Sequence, residues 1–173
     1  VKNYNGKCFL AVENDKARNL LPQYVSLLEK EIAETGEITQ KIGVKLESVY
    51  IGGGTPTTLS AEQLKTVIDA VKNNFDLSTC REFTVEAGRP DTITEEKLLV
   101  LKNSPVDRIS INPQTFNDSV LEAVGRRHSA EDTIRIFKLA RELGFDNINM
   151  DLIAGLPTDT LDGFKHSLDT AIS

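Results

Sequence analysis

The sequence predicts an α/β fold in which parallel strands form a barrel or part of one. Strand-like and helix-like segments alternate along the chain, a pattern typical of a parallel sheet with right-handed crossovers. The strand-like segments recur every few tens of residues, and no GxGxxG motif follows the first of them. A barrel is therefore favoured over a Rossmann fold. The length of 173 residues fits one domain with a substantial core.

The first part of the chain predicts a helix, a strand and a second helix. Residues 17–35 have helical spacing, with apolar side chains expected on one face: Leu20, Tyr24, Leu27, Leu28 and Ile32. Residues 47–51 form a short apolar run that predicts a buried strand. Ser60 is placed to cap a helix over Ala61–Asn74, and Gln63 stands at the capping-box position.

The remaining chain predicts three more strands, at residues 82–87, 108–111 and 147–153. Helices are expected at Glu95–Lys102 with Thr94 as its cap, at 117–124, at 130–143 ended by Gly144, and at Leu161–Ile172. The helix at 130–143 has four candidates for burial: Ile134, Phe137, Leu139 and Ala140. We therefore expect four parallel strands in sequential order, with helices on the outer face.

Three consecutive glycines, Gly52, Gly53 and Gly54, lie between the first strand and its helix. Glycine inside a regular element reduces stability, but in a loop it permits positive φ and close approach of a ligand to the main chain. A tight turn without any ligand is the alternative interpretation.

Polar groups follow the carboxyl ends of all four predicted strands. Taken singly, each has a structural explanation: Glu86 in a salt bridge, Asp151 as a cap, Gln114 on backbone groups, Arg126 and Arg127 as a solvated pair. Together they form a polar rim at the edge where parallel sheets bind ligands. The segments are Gly52 to Pro56, Glu86 to Pro90, Asn112 to Gln114 leading to Arg126-Arg127-His128, and Asn149 to Pro157.

Composition excludes several classes of protein. A net charge of −6 argues against a nucleic-acid surface, and no run approaches the length of a membrane span or resembles a secretory leader. Cys8 and Cys80 are too few for a disulfide framework and suit a reducing, cytoplasmic setting. These two cysteines are also too few for a self-contained iron–sulfur or zinc site. The two histidines, His128 and His166, are too few and too far apart in sequence to suggest a metal site. We find no Ser–His–Asp, Walker or HExxH signal.

Four segments, in this order, resemble the oxygen-independent coproporphyrinogen III oxidase family of radical S-adenosylmethionine (SAM) enzymes. They are "YIGGGTPTTLS", "FTVEAGRPDTIT", "RISINPQTFNDSVLEAVGRRHS" and "INMDLIAGLP". Many radical SAM enzymes share GGGTP, whereas QTFND…GRRH and DLIAGLP are more restricted. The segment EAGRPDT is more similar to the members of this family whose substrate is uncertain than to the standard enzyme of the haem pathway.

The resemblance implies a partial (β/α)6 TIM-like barrel that binds SAM beside a [4Fe–4S] cluster. Gly52, Gly53 and Gly54 would bind the amino group of SAM through the backbone, and Thr55 would support their loop. Three polar residues would contact the amino acid and ribose parts of SAM: Glu86, Gln114 and Asp151. Arg126 would pair with the SAM carboxylate, for which a guanidinium is a natural partner.

The implied reaction is reductive cleavage of SAM to a 5'-deoxyadenosyl radical, which abstracts hydrogen from the substrate. In the parent reaction a porphyrinogen propionate is oxidatively decarboxylated to vinyl. An anionic, porphyrinogen-like small molecule and a reductant such as flavodoxin or ferredoxin are therefore the expected partners. No nucleic acid or membrane is expected.

The chain departs from the family in its cysteines. The family holds its cluster with CxxxCxxC after the first barrel strand, and that motif is absent from this sequence. Cys8 could stand for the third cysteine, but Val1 and Asn5 would then occupy the other two positions. The explanations are a missing N-terminal part, a loss of residues after Lys7, or a degenerate copy. Cys80, near the start of a strand, is expected to be a packing residue.

We interpret residues 1–173 as one truncated radical SAM core. It would lack the first strand with the cluster motif and the C-terminal substrate domain. Two functions stay open: a radical SAM oxidoreductase, and a non-catalytic haem- or SAM-binding relative, since the family also contains haem chaperones. A CxxxCxxC upstream of Val1 would support the enzyme.

Overall fold

A computed structural model describes the backbone of residues 14–173 and the side chains of residues 19–173. Helices alternate with short strands along this part of the chain. In order they are α1 Asn14–Lys41, β1 Ser48–Ile51, α2 Ala61–Asn74, β2 Glu82–Glu86, α3 Glu95–Lys102, β3 Arg108–Ser110, α4 Asp118–Ala123, α5 Ala130–Glu142, β4 Asn147–Asn149 and α6 Leu161–Ile172. Single 3-10 turns at Pro56–Thr58 and Pro90–Thr92 follow β1 and β2.

The four strands form one parallel sheet in the order β1-β2-β3-β4. Ser48 is aligned with Glu82, Thr84 with Arg108, and Ile109 with Ile148. Parallel pairing in sequential order confirms the predicted α/β architecture, and it places all four carboxyl ends at one edge of the sheet.

Side chains alternate between the two faces of the sheet. One face is apolar and is covered by helices, with Phe83, Val85 and Ile109 almost completely buried. The main core joins these strand residues to Leu64 and Ile68 of α2 and to residues of α1, α3 and α5. The opposite face, which we call the inner face, carries polar side chains and is described below.

α1 is longer than predicted, and its packed stripe matches the prediction only at Leu28 and Ile32. It continues past Gly36, where a Cβ would lie 2.5 Å from the Asn74 backbone oxygen, so glycine permits close approach to α2. The stripe against the core is Leu21, Val25, Leu28 and Ile32. Three residues of the predicted stripe are exposed instead: Leu20, Tyr24 and Leu27. Apolar residues lie on both sides of the true stripe, so spacing alone did not separate them.

α5 and β4 also correct the sequence prediction in detail. Ile136 is the buried isoleucine of α5, whereas Ile134 is 37% exposed. β4 ends at Asn149 rather than at residue 153, and beyond it pairing continues only as an isolated bridge between Gln114 and Leu152. The chain leaves the sheet there to build the rim.

The predicted helix boundaries are confirmed where caps define them. Ser60 and Gln63 form a reciprocal capping box on α2, and Thr94 accepts a hydrogen bond from the Lys97 amide. Gly144 has φ of 87° directly after α5, a conformation suited to glycine. Of the helices in the described part, none is long and apolar enough to cross a membrane.

Replacing Ile109 tests whether β3 lies in the core. Ile109→Ala should lower the free energy of unfolding by about 2–5 kcal/mol, because the side chain is fully buried and truncation leaves a cavity. The measurement is urea-induced unfolding followed by circular dichroism. Ile134→Ala is the matched control and should cost less than about 1 kcal/mol. Equal losses in the two variants would contradict the packing described here.

Candidate functional site

The glycine triplet forms an exposed loop after β1. Gly53 and Gly54 have φ of 76° and 57°, as expected for glycine in a turn. The Thr55 hydroxyl donates to the Gly54 carbonyl over 2.8 Å, and the Thr55 carbonyl accepts from the Thr58 amide. Thr55 therefore braces this loop from within.

Glu86, the last residue of β2, contacts the glycine loop. Its Oε2 lies 3.3 Å from the Gly53 amide nitrogen, which donates to it. The side chain is half-buried. Gly88 is buried just beyond, and a Cβ there would lie 3.3 Å from Glu86 Oε1. A Cβ at Gly52 would likewise lie 3.1 Å from Glu86 Oε2, so Gly52 and Gly88 leave room for this carboxylate.

Tyr50 belongs to the same cluster, and the sequence analysis did not single it out. Its hydroxyl donates to Glu86 Oε2 over 3.3 Å. Burial raises the pKa of the Tyr50 phenol, with a further contribution from the Glu86 carboxylate. Its position two residues before Gly52 on an alternating strand was the signal that could have identified it.

A polar network crosses the inner face from the start of β2 and β3 to the end of β4. Arg108 donates to Glu82 Oε2 over 2.9 Å and to Asn149 Oδ1 over 3.2 Å, which joins β2, β3 and β4. Hydrogen bonds from Thr84 and then from Arg108 hold the pKa of Glu82 below its usual range. Asn149 also donates to Asp151 Oδ1 over 2.9 Å. Asp151 is therefore oriented from within the sheet.

The first two rim loops are tied together behind the site. Lys97 of α3 donates to the carbonyls of Thr57 and Thr92, at 2.6 Å and 2.9 Å, and the two threonine hydroxyls lie 2.6 Å apart. Burial lowers the pKa of Lys97. The glycine loop and the loop after Glu86 are therefore held in a fixed relation.

The third rim segment combines strain with an unpaired polar atom. Gln114 has φ of 68°, a conformation that is uncommon for residues other than glycine and is concentrated at functional sites. The backbone amide of Gln114 donates to the backbone carbonyl of Asp151 over 3.0 Å. Asn112 is 2% exposed, and its Oδ1 has no hydrogen-bond partner in the described part of the chain.

Arg126 and Arg127 differ in their exposure to solvent. Arg127 is exposed, whereas Arg126 is half-buried and, among residues 19–173, forms no salt bridge. Burial lowers the pKa of the Arg126 guanidinium, and repulsion by the charge of Arg89 lowers this pKa further. The carboxylate of Asp91 partly offsets both effects. A half-buried guanidinium is suited to an anionic ligand.

His128 anchors the segment that carries Arg126. Its ring is 3% exposed, and Nε2 lies 3.3 Å from the Pro113 carbonyl oxygen. Burial lowers the pKa of His128, the Pro113 contact opposes this, and Arg126 adds to the lowering. The imidazole is therefore neutral near pH 7 and links this segment to the exit of β3.

The structure brings most of the predicted site residues to one edge. Gly53 and Glu86 are in direct contact, as are Gln114 and Asp151. Cys8, the predicted cluster ligand, lies outside the described residues. Cys80 is confirmed as a packing residue against the core. Among the described residues no group of three or more His, Cys, Asp or Glu could hold a metal ion.

The rim fits SAM but the described residues do not fit an iron–sulfur cluster. SAM is a zwitterion with a cationic sulfonium and hydroxyl groups. The rim offers a carboxylate at Glu86, a half-buried guanidinium at Arg126 and the glycine cradle of residues 52–54. A [4Fe–4S] cluster needs at least three thiolates, and residues 19–173 contain only Cys80.

Comparison with known proteins supports the same family. Residues 13–171 match the family model described as the radical SAM superfamily. The oxygen-independent coproporphyrinogen-III oxidase-like protein HemZ of Bacillus subtilis is 49% identical over 142 residues, covering 82% of this chain and 28% of HemZ. The haem chaperone HemW of the same organism is 45% identical and covers 87% of this chain and 39% of HemW.

A solved structure shows the same fold. Coproporphyrinogen III oxidase (HemN) from Escherichia coli, a radical SAM enzyme, superposes with a TM-score of 0.78 at 31% identity. The match covers 87% of this chain and 34% of HemN. The chain therefore spans about a third of the length of these relatives, and the expected barrel-type fold of the radical SAM enzymes is confirmed.

Lowering the pH should destabilise the protein partly through His128. The folded pKa lies below the ordinary 6.5. As the pH falls through 6.5, the unfolded chain gains a proton that the folded chain resists, and stability is lost by up to about 1.4 kcal/mol per pH unit. His128→Gln should therefore reduce the difference in unfolding free energy between about pH 7.5 and about pH 5.5. His166→Gln, on the exposed side of α6, is the control; an unchanged difference in His128→Gln would contradict this assignment.

Removing the Lys97 ammonium should loosen the two rim loops. Lys97→Met keeps the aliphatic stem but loses both charge-assisted hydrogen bonds, which predicts a loss of about 1–3 kcal/mol in urea unfolding. Lys65→Met removes an exposed ion pair with Asp69 on α2, and it should cost less than about 1 kcal/mol. A loss in Lys97→Met no larger than in the control would refute the clamp.

Proposed function

Because the chain belongs to the radical SAM superfamily, we propose that it is the SAM-binding core of an oxidoreductase resembling oxygen-independent coproporphyrinogen III oxidase. Such an enzyme decarboxylates porphyrinogen propionates oxidatively in porphyrin and haem biosynthesis. Support comes from the name of the HemZ relative and from the superposition on HemN. The anionic, porphyrinogen-like substrate and the flavodoxin- or ferredoxin-type reductant remain parts of this proposal.

The observation that carries the proposal is the contact between Glu86 and the glycine loop. A carboxylate held by the Gly53 amide stands at the carboxyl edge of a parallel sheet, where such sheets bind ligands. Gly52, Gly53 and Gly54 would present backbone groups to the methionine end of SAM. Thr55 would keep that loop in shape.

The other rim residues take complementary parts. Arg126 would pair with the SAM carboxylate, since a desolvated guanidinium binds carboxylate strongly. The backbone amide of Gln114 donates to the backbone carbonyl of Asp151. These two residues would contact the amino acid and ribose parts of SAM. When bound and reduced, SAM supplies the radical chemistry of hydrogen abstraction. The protein holds and orients it.

A second function is favoured by a specific finding. The haem chaperone HemW of Bacillus subtilis is almost as similar to this chain as HemZ is, at 45% against 49% identity. A non-catalytic haem- or SAM-binding relative would use the same core without turning over a porphyrinogen. In that case, haem would bind and no decarboxylated product would form.

Anaerobic iron–sulfur reconstitution of the complete protein separates these functions. SAM-dependent formation of 5'-deoxyadenosine with a vinyl product from coproporphyrinogen III supports the oxidase. Stoichiometric haem binding without a vinyl product supports the chaperone-like relative. If the reconstituted protein neither binds nor cleaves SAM, the proposed SAM-binding core is refuted.

Arg126 and Arg127 provide a matched pair of variants. Arg126→Ala should weaken SAM binding by roughly ten- to a hundred-fold, because a charge-assisted pair contributes about 1.5–3 kcal/mol. Arg126→Lys should rescue only partly, since it keeps the charge but loses the planar fork. SAM is titrated against the reconstituted protein by equilibrium dialysis. Arg127→Ala, at an exposed position, should bind like wild type; if it is the weakened variant, the assignment of this loop is wrong.

A further inference from the structure

Tyr50 lies on the inner face without contributing to the apolar core. Its side chain is 63% exposed, yet its hydroxyl reaches the carboxylate of Glu86 on the neighbouring strand at 3.3 Å. The hydrogen bond to Glu86 is therefore the feature that calls for an explanation.

Gly52 provides the space that the Tyr50 ring occupies. A Cβ at Gly52 would lie 2.1 Å from Cε1 and 2.8 Å from Cδ1 of Tyr50, and 3.1 Å from Glu86 Oε2. Unlike Gly53 and Gly54, Gly52 does not have a positive φ, so its backbone conformation does not demand glycine. The first glycine of the triplet therefore makes room for the tyrosine ring.

The two oxygens of Glu86 have different surroundings. Oε2 accepts from the Tyr50 hydroxyl and from the Gly53 amide. Among residues 19–173, no group donates a hydrogen bond to Oε1, which borders the space left by Gly88. Two donors on one oxygen fix the plane of the carboxylate and leave the other oxygen available.

We propose that Tyr50 is a positioning residue, which orients Glu86 so that Oε1 faces the cationic end of bound SAM. This inference rests on the proposed function and adds to it a residue outside the assigned SAM contacts. A phenol can hold a carboxylate in this way only while it is protonated. A phenol is protonated at neutral pH at its ordinary pKa, and partial burial and then Glu86 raise the pKa of Tyr50 further.

The first test removes the hydroxyl and keeps the ring. In the reconstituted protein, Tyr50→Phe should raise the dissociation constant for SAM about three- to ten-fold, the effect of one net hydrogen bond. The melting temperature should stay at the wild-type value, because the side chain is largely exposed. Tyr24→Phe on the exposed side of α1 is the matched control and should bind SAM like wild type. Wild-type affinity in Tyr50→Phe overturns the proposal.

A double-mutant cycle separates positioning from a direct contact or a general structural effect. If Tyr50 acts through Glu86, Tyr50→Phe should change SAM affinity by less than about twofold in a Glu86→Gln background. Additive losses would show that the hydroxyl acts on SAM directly or on the fold, and they would overturn the proposed role.

A measurement without ligand keeps the inference independent of the proposed function. Amide hydrogen exchange at Gly53, followed by NMR, should be about threefold or more faster in Tyr50→Phe, because the shared carboxylate acceptor is released. Tyr24→Phe should not change it. If wild type fails to bind SAM, the proposed function fails. Unchanged Gly53 exchange in Tyr50→Phe contradicts the positioning role whether or not SAM binds.

Discussion

Alternation of side chains along four parallel strands is the constraint on which this structure depends. One set of positions is apolar and packs against helices, so Phe83, Val85 and Ile109 are buried. The other set must then face the inner side, where it is polar and linked by Arg108 across three strands. A shift of register by one residue would exchange the two faces. The core and the site are therefore fixed by the same pairing.

The loops at the carboxyl edge depend on this sheet for their geometry. Glu86 can reach the Gly53 amide because β1 and β2 are adjacent and in register, with Ile51 opposite Val85. Lys97 then ties the two following turns together from behind. His128 connects the segment with Arg126 to the exit of β3. The glycine loop and the segment of Arg126 are thus supported by two residues, Lys97 and His128, that are not among the proposed ligand contacts.

The sequence was sufficient for the number and order of the strands in the described part, for the helix caps, and for the position of Glu86 and Gln114 near strand ends, because these depend on local patterns. Ser60 and Gln63 form a cap by spacing alone, and motif order placed Glu86 and Gln114 at strand ends. The sequence was not sufficient to tell whether Ile134 or Ile136 is buried. Both lie near the apolar side of α5, and only tertiary packing decides which of them enters the core. The role of Gly52 also could not be read locally, because the contact it relieves is with the ring of Tyr50 and the carboxylate of Glu86.

A crystal structure of the reconstituted protein with SAM bound tests the central claim most directly. The account predicts the methionine end of SAM against the loop of residues 52–54 and Glu86, with its carboxylate beside Arg126. Glu86 should keep Oε2 on Tyr50 and the Gly53 amide while Oε1 faces the ligand. SAM bound away from the carboxyl edge of the sheet, or with its methionine end turned from Glu86, would contradict the account.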